Sequence, residues 1–251
     1  MDFDFKNPRH LIALFLVFLS FSMFVAVPIF TYFGMFGDVA STTAQLNEFP
    51  EGFKIVFEIF ALLLQFTLVL ILFVIVPFVW YKIVNKFSLP QMIDAIRLKK
   101  DRIDRAFVYG ILTAAVMLGF VIVIGVLLTF LGFDLENAGN IQDIEQIFSI
   151  PATFILITIQ PVAEELFYRG FLLEKLEKLS SAPVAIAITA VLFGLAHLTT
   201  GNLYPALLTG IAGAVLAITV IKTKNLTAAI IAHILFNVTS FALYVLGQSI
   251  I

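Results

Sequence analysis

Few residues of this chain can do chemistry, and three short runs hold most of them. In Gln160-Pro161-Val162-Ala163-Glu164-Glu165-Leu166-Phe167-Tyr168-Arg169-Gly170, two adjacent carboxylates and an arginine follow an apolar run. A charge at the centre of a membrane helix costs about 2.5–3.5 kcal/mol on the insertion scale. Three such groups persist only if they are paired or used. On a helix, Glu165 and Arg169 are i,i+4 on one face and can form an ion pair. Glu164 lies about 100° round from Glu165 and is free to point elsewhere. Pro161 has no N–H to give to the carbonyl of Ile157, which weakens the helix one turn before Glu164. The second run, Phe193-Gly194-Leu195-Ala196-His197, ends in a histidine within an apolar stretch. The third, His233-Ile234-Leu235-Phe236-Asn237, carries an imidazole and a carboxamide four residues apart, on one helix face. Hydrolysis of an amide needs a base, a water and donors aimed at developing charge. These side chains are of the right types. The plain alternatives are a salt-bridged cap at the end of a span for the first run, and satisfied helix–helix contacts for the histidines.

The elements that must position them are membrane helices. The chain has 251 residues, 61% of them hydrophobic, against about 45–50% for a soluble domain. With only 13% charged residues and long apolar runs, the composition predicts an all-α, polytopic transmembrane bundle. There is no cysteine, which excludes disulfides, thiolate catalysis and cysteine-bound metals. The basic residues are few and flank apolar segments, so no nucleic-acid partner is expected. About seven spans are predicted, near 11–35, 55–81, 106–131, 147–169, 182–198, 204–221 and 226–248. Trp80-Tyr81 reads as an interfacial anchor, and His10 as an interfacial residue. An amphipathic surface helix is expected after Leu89-Pro90. The 170–181 segment, with Glu174, Lys175, Glu177 and Lys178, is expected to project into the cytoplasm.

The positive-inside rule sets the orientation. With the N-terminus cytoplasmic, Lys6, Arg9, the basic 82–105 segment, Arg169, Lys175, Lys178, Lys222 and Lys224 all lie inside, and only Lys54 falls outside. No repeat or linker interrupts the chain, so residues 1–251 read as one integral membrane domain. Small residues four apart (Ala190 and Gly194; Ala206, Gly210 and Ala214; Gly213 and Ala217) predict close helix contacts and a tight inner bundle of the last four spans. If Ser180-Ser181 is the turn of a hairpin, Glu164 and His197 both stand about 25 Å from it, and His233 about 13 Å beyond Lys224. The three levels agree within a couple of turns. Residues Thr199 to Asn202 then fall deeper than a surface loop, as part of a re-entrant segment that lines protein or water.

The ordered set Glu164-Glu165-x-x-x-Arg169, Phe193-x-x-x-His197 and His233-x-x-x-Asn237 resembles the three motifs of the CPBP intramembrane proteases. That family includes the type II CAAX prenyl endopeptidases and relatives linked to bacteriocin processing and self-immunity. The resemblance covers about residues 150–240. It implies an intramembrane endopeptidase acting on a membrane-associated peptide or protein, in a multi-pass protein of a bacterial plasma membrane. By the same resemblance Glu164 is the general base, activating water together with His197. Glu165 and Arg169 are the supporting ion pair, His233 and Asn237 donate to the oxyanion, and Phe193 walls the water pocket. No cofactor is required on this reading. A zinc ion held by Glu164, His197 and His233 is the alternative, because two histidines and a glutamate form a plausible catalytic set. The absence of a His-Glu-x-x-His helix favours metal-free catalysis, as does an asparagine better suited to an oxyanion than to zinc. Two competing functions remain at this stage, a non-enzymatic immunity or scaffold protein and an ion path. The near-absence of polar residues in the first and third spans disfavours the latter. The natural substrate, any requirement for a prenyl group and the oligomeric state are not written in the sequence.

Overall fold

A computed structural model describes residues 3–35, 49–99, 102–133, 148–198 and 203–248. The expected re-entrant segment at 199–202 lies outside them, as do Lys100 and the acidic residues at 38, 48, 134, 136, 143 and 145. The described residues form eight helices and no strand: α1 Pro8–Tyr32, α2 Glu51–Ile83, α3 Leu89–Ala95, α4 Ile103–Phe130, α5 Ile150–Leu179, α6 Ala182–Leu195, α7 Leu203–Thr223 and α8 Leu226–Gln248. Six of them are long and apolar enough to cross a membrane. The exception among the expected spans is α6. Its 14 residues reach about 21 Å, short of a hydrocarbon core of about 30 Å. The local cause lies at its end, where the His197 imidazole bonds the Phe193 carbonyl at 2.8 Å and the His197 N–H turns back to Gly194 O at 2.9 Å. That carbonyl, which the next turn of helix would use, is capped by a side chain.

Polar contacts between helices fix their directions. Ser149 with Glu58, Gln160 with Gln65, Glu174 with Tyr81 and Lys175 with Asn85 are separated by 91, 95, 93 and 90 residues. A nearly constant offset means that α2 and α5 run parallel along their lengths. Glu165 meets His233 and Ile157 meets Asn237, so α5 and α8 are antiparallel. Gly194 meets Ala206 while Ala190 meets Gly210, so α6 and α7 are antiparallel. Thr113 bonds Thr219, and Tyr204 lies near Gly125, which makes α4 antiparallel to α7. This register gathers Lys82, Lys86, Arg97, Lys99, Arg102, Arg105, Lys175, Lys178, Lys222 and Lys224 at one end of the bundle, and leaves Lys54 paired with Glu51 at the other. The charge partition expected from the sequence is therefore built into the helix directions.

The buried share of the most apolar window is 44% in α5 but 17% in α4, so α5 is the central element. Small residues make the inner contacts, as their spacing predicts. A Cβ on Gly194 would lie 2.5 Å from Ala206 O, and one on Gly110 2.6 Å from Ile231 Cγ2. Outward faces of α1, α2 and α4 expose Phe15, Phe18, Ile59, Phe60, Leu63, Phe120, Val123 and Val126, the apolar surface that a bilayer covers.

Three expectations are corrected at the basic end. Trp80 and Tyr81 do not face a membrane interface. Trp80 is buried, stacked on Phe3 with centroids 5.5 Å apart, and Tyr81 is buried with its hydroxyl donating to Glu174 at 3.2 Å. His10 is likewise buried, its Nδ1 accepting the Asp4 N–H at 3.0 Å. Glu174 and Lys175 do not project into solvent. They are buried, ion-paired at 3.0 Å, and Lys175 also bonds Asn85 at 2.9 Å and lies 4.3 Å over the Tyr81 ring. Paired charges of this kind are the only ones an interior accepts. The expected helix after Leu89-Pro90 is present as α3, opened by a Ser88–Gln91 capping box. It packs Met92 and Ile96 inward, and Arg97 just beyond it joins Glu177 at 2.6 Å.

Candidate active site

α5 supplies the acidic groups, and its winding decides where they point. It is α-helical through Glu165, then π-helical over Leu166–Leu172. A wider turn of this kind is frequent at functional sites. Here it lets Phe167 and Tyr168 face α2 and α6 while Arg169 stays inside. Phe167 stacks on Phe73 at 4.7 Å, and Phe73 lies in a π-helical turn of α2 at Leu70–Ile75. Tyr168 meets Phe193 of α6 edge-on at 5.1 Å. A column of rings therefore runs from α2 through α5 to α6 behind the charged groups.

The ion pair read from the i,i+4 spacing is formed. Arg169 Nη1 donates to Glu165 Oε1 at 2.6 Å, and neither side chain has any exposed surface. The Arg169 guanidinium also lies 4.2 Å over the Phe193 ring, a cation–π contact that partly replaces lost solvation. Room for both comes from α7. A Cβ on Gly213 would sit 2.9 Å from Arg169 Nη2 and 3.0 Å from Phe193 Cδ1. Glu165 Oε1 accepts a second bond, 2.9 Å from His233 Nδ1. A carboxylate only accepts, so this contact places a proton on Nδ1 of His233.

Glu164, one residue earlier, points elsewhere as expected. It is 7% exposed, and its Oε2 stands 3.8 Å from His233 Nε2. Its Oε1 accepts from Gln160 Nε2 at 2.6 Å, and Gln160 Oε1 accepts from Gln65 Nε2 of α2 at 3.0 Å. His197 follows α6 and is half-buried. Because its Nδ1 faces the Phe193 carbonyl, that nitrogen carries the proton and Nε2 presents a lone pair. The Phe193 ring adjoins both imidazoles, 4.8 Å from His197 and 5.7 Å from His233.

Asn237 donates from Nδ2 to Ile157 O at 3.4 Å. That carbonyl is the one Pro161 leaves free. The asparagine therefore holds α8 against the proline-weakened turn of α5, and its second N–H remains for another acceptor. All seven residues singled out from the three motifs thus lie in one neighbourhood, on α5, α6 and α8. Sequence reasoning gave no role to Gln160 or Gln65, and read Gly213 only as a close-packing position. Isolated glutamines in apolar runs were the available signal, since an amide in lipid seeks a partner.

Glu164, His197 and His233 have the donor chemistry of a zinc site, each with a supporting hydrogen bond behind it. Among the described residues, however, no three His, Cys, Asp or Glu side chains converge closely enough to hold an ion. As arranged, the set does not fit zinc.

No curated protein and no solved structure matches the chain. Residues 146–239 match the family model described as "Type II CAAX prenyl endopeptidase Rce1-like", a segment that contains every residue of the three motifs. Over that segment the chain is similar to the Rce1-like type II CAAX prenyl endopeptidases, and its apolar helices make it a multi-pass integral membrane protein.

Proposed function

We propose that the protein is an intramembrane endopeptidase of the CAAX-protease type, which hydrolyses a peptide bond of a membrane-associated peptide or protein by glutamate-activated water. The observation that carries this reading is the pair of adjacent glutamates with divided tasks. Glu165 is consumed by Arg169 and His233, whereas Glu164 keeps an oxygen, Oε2, beside the His233 ring. Glu164 Oε2 takes a proton from water while His197 Nε2 accepts the water's other hydrogen bond. The new hydroxyl bonds to the scissile carbonyl carbon, and the carbonyl oxygen becomes an oxyanion. His233 and the second N–H of Asn237 donate to it, the electrostatic help that acyl transfer needs. Donation by His233 Nε2 requires the imidazolium, since Nδ1 already faces Glu165. That charge, with Arg169, balances the two glutamates. The proton held by Glu164 then passes to the leaving amine as the C–N bond breaks. No step requires a metal.

The test uses purified protein in liposomes and two internally quenched peptides of one sequence, one ending in a farnesylated cysteine followed by three residues, the other unprenylated. Wild type is expected to cleave at least one, and Glu164→Ala and His197→Ala to lose cleavage while keeping the wild-type unfolding profile. Activity that survives Glu164→Ala overturns the assignment of the base, and activity abolished by a chelator and restored by zinc overturns metal-free hydrolysis.

A further inference from the structure

The two glutamines behind Glu164 form an ordered relay. Gln65 Nε2 donates to Gln160 Oε1 at 3.0 Å, and Gln160 Nε2 donates to Glu164 Oε1 at 2.6 Å. The order follows from chemistry. A carboxylate accepts and cannot donate, so Gln160 must turn its NH2 toward Glu164. Its carbonyl oxygen then faces α2, where it needs a donor, and Gln65 supplies one. The two contacts together leave the Gln160 amide one orientation. Both glutamines are partly buried, and neither takes part in the proposed chemistry.

We propose that Gln160 is a positioning residue for the proposed base, holding Glu164 by Oε1 so that Oε2 faces His233 and water, and that Gln65 acts only through Gln160 by fixing its amide. This rests on the assignment of Glu164 as base. The site is thereby tied to α2, a helix outside the matched segment at residues 146–239. The tie is short and rigid, because Gln160 and Glu164 are i,i+4 on one helix, and α2 runs parallel to α5. A carboxylate with one oxygen held loses the rotation about its terminal bond, and catalysis is sensitive to such orientation.

The experiment compares Gln160→Met, Gln65→Met and the double variant, all shape-preserving, in the liposome assay with the farnesylated and unprenylated peptides. For Gln160→Met, kcat is expected to fall about tenfold or more with KM within about twofold, since the loss is of orientation and not of binding. Gln65→Met is expected to fall about threefold, and the double variant to match Gln160→Met, because a residue acting through another adds nothing once that other is gone. A double variant whose loss equals the product of the singles overturns the relay, as does Gln160→Met with wild-type kcat. Infrared difference spectra against Glu164→Gln give a readout independent of cleavage. The Glu164 carboxylate stretch is expected to shift in Gln160→Met, and an unshifted band overturns the proposal. Retained cleavage by Glu164→Gln would instead sink the assignment of the base, while the spectra still report on the relay.

Discussion

Breaking the Glu165–Arg169 pair should cost more than removing it whole. The pair has no exposed surface and a 2.6 Å contact. Removing one partner of such a pair strands a buried charge, typically at a cost of about 3–5 kcal/mol. Glu165→Leu strands Arg169, which keeps the Phe193 face at 4.2 Å and the Tyr168 face at 5.7 Å. A desolvated cation–π contact returns up to about 2 kcal/mol, so a net loss of about 2–4 kcal/mol is expected. Arg169→Met strands Glu165, which keeps His233 at 2.9 Å, and a loss in the same range follows. In the double variant Glu165→Leu/Arg169→Met no charge is stranded, and apolar groups replace a buried ion pair at little or no cost. The double should therefore be more stable than either single. Reversible unfolding in mixed micelles measures this as a coupling of about 4–8 kcal/mol, the sum of the two single losses. Activity should not follow stability, because the double variant leaves His233 Nδ1 without its acceptor: the protein should fold and fail to cleave. Single losses that simply add, within about 0.5 kcal/mol, would refute the view that the pair is held as a unit.

Further outcomes follow from the same geometry. Gly213→Ala puts a methyl against Arg169 and Phe193, both fully buried, and should cost about 1–3 kcal/mol. Gly210→Ala, whose nearest neighbour would be 3.4 Å away, should cost less, and Gly119→Ala, which meets nothing, should be neutral in the same thermal-unfolding series. Pro161→Ala restores an N–H for Ile157 O and so competes with Asn237; Asn237→Ala should then destabilise less in that background than in wild type, as a double-mutant cycle would read. Tyr81→Phe removes the hydroxyl from buried Glu174 but keeps the ring under Lys175; a loss of about 1–3 kcal/mol is expected, and Tyr81→Leu, which also removes the ring, should lose more. Trp80 is the sole tryptophan and stacks on Phe3, so Phe3→Ala should shift its emission to longer wavelength.

What the sequence made legible was what acts locally. The apolar runs placed the helices, and the i,i+4 rule found Glu165 with Arg169 even though the turn that joins them is partly π-helical. Counting rise inward from Lys224 brought His233 to the level of Glu164, whose Oε2 stands 3.8 Å from its Nε2. Small-residue spacing foretold the crossing of α6 and α7 at Gly194 and Gly210. Contacts that depend on which helix stands beside which were not legible. Trp80 and Tyr81 have the composition of a membrane-interface anchor, and only the neighbouring N-terminal segment and α5 make them core. Glu174 and Lys175 look solvated because they alternate in sign on an amphipathic turn, yet each finds a partner across α2 or beside it. The length of α6 depended on a histidine bonding back to its own helix, a choice that hydropathy cannot see.

The parallel register of α2 and α5 joins these cases. Four contacts along it, at Glu58, Gln65, Tyr81 and Asn85, share one offset of 90–95 residues. Three of them pair polar side chains that stand as isolated irregularities in an apolar helix or at its end, and the fourth gives Glu58 the backbone N–H of Ser149. In lipid such a group is costly alone, so each polar side chain on one helix implies one on its neighbour, at matching height. The single register that satisfies all four also aims Gln160 at Glu164. A slip of one residue would turn these side chains about 100° round the helix and uncouple every pair at once. The same contacts that pack α2 against α5 therefore set the orientation of the Glu164 carboxylate.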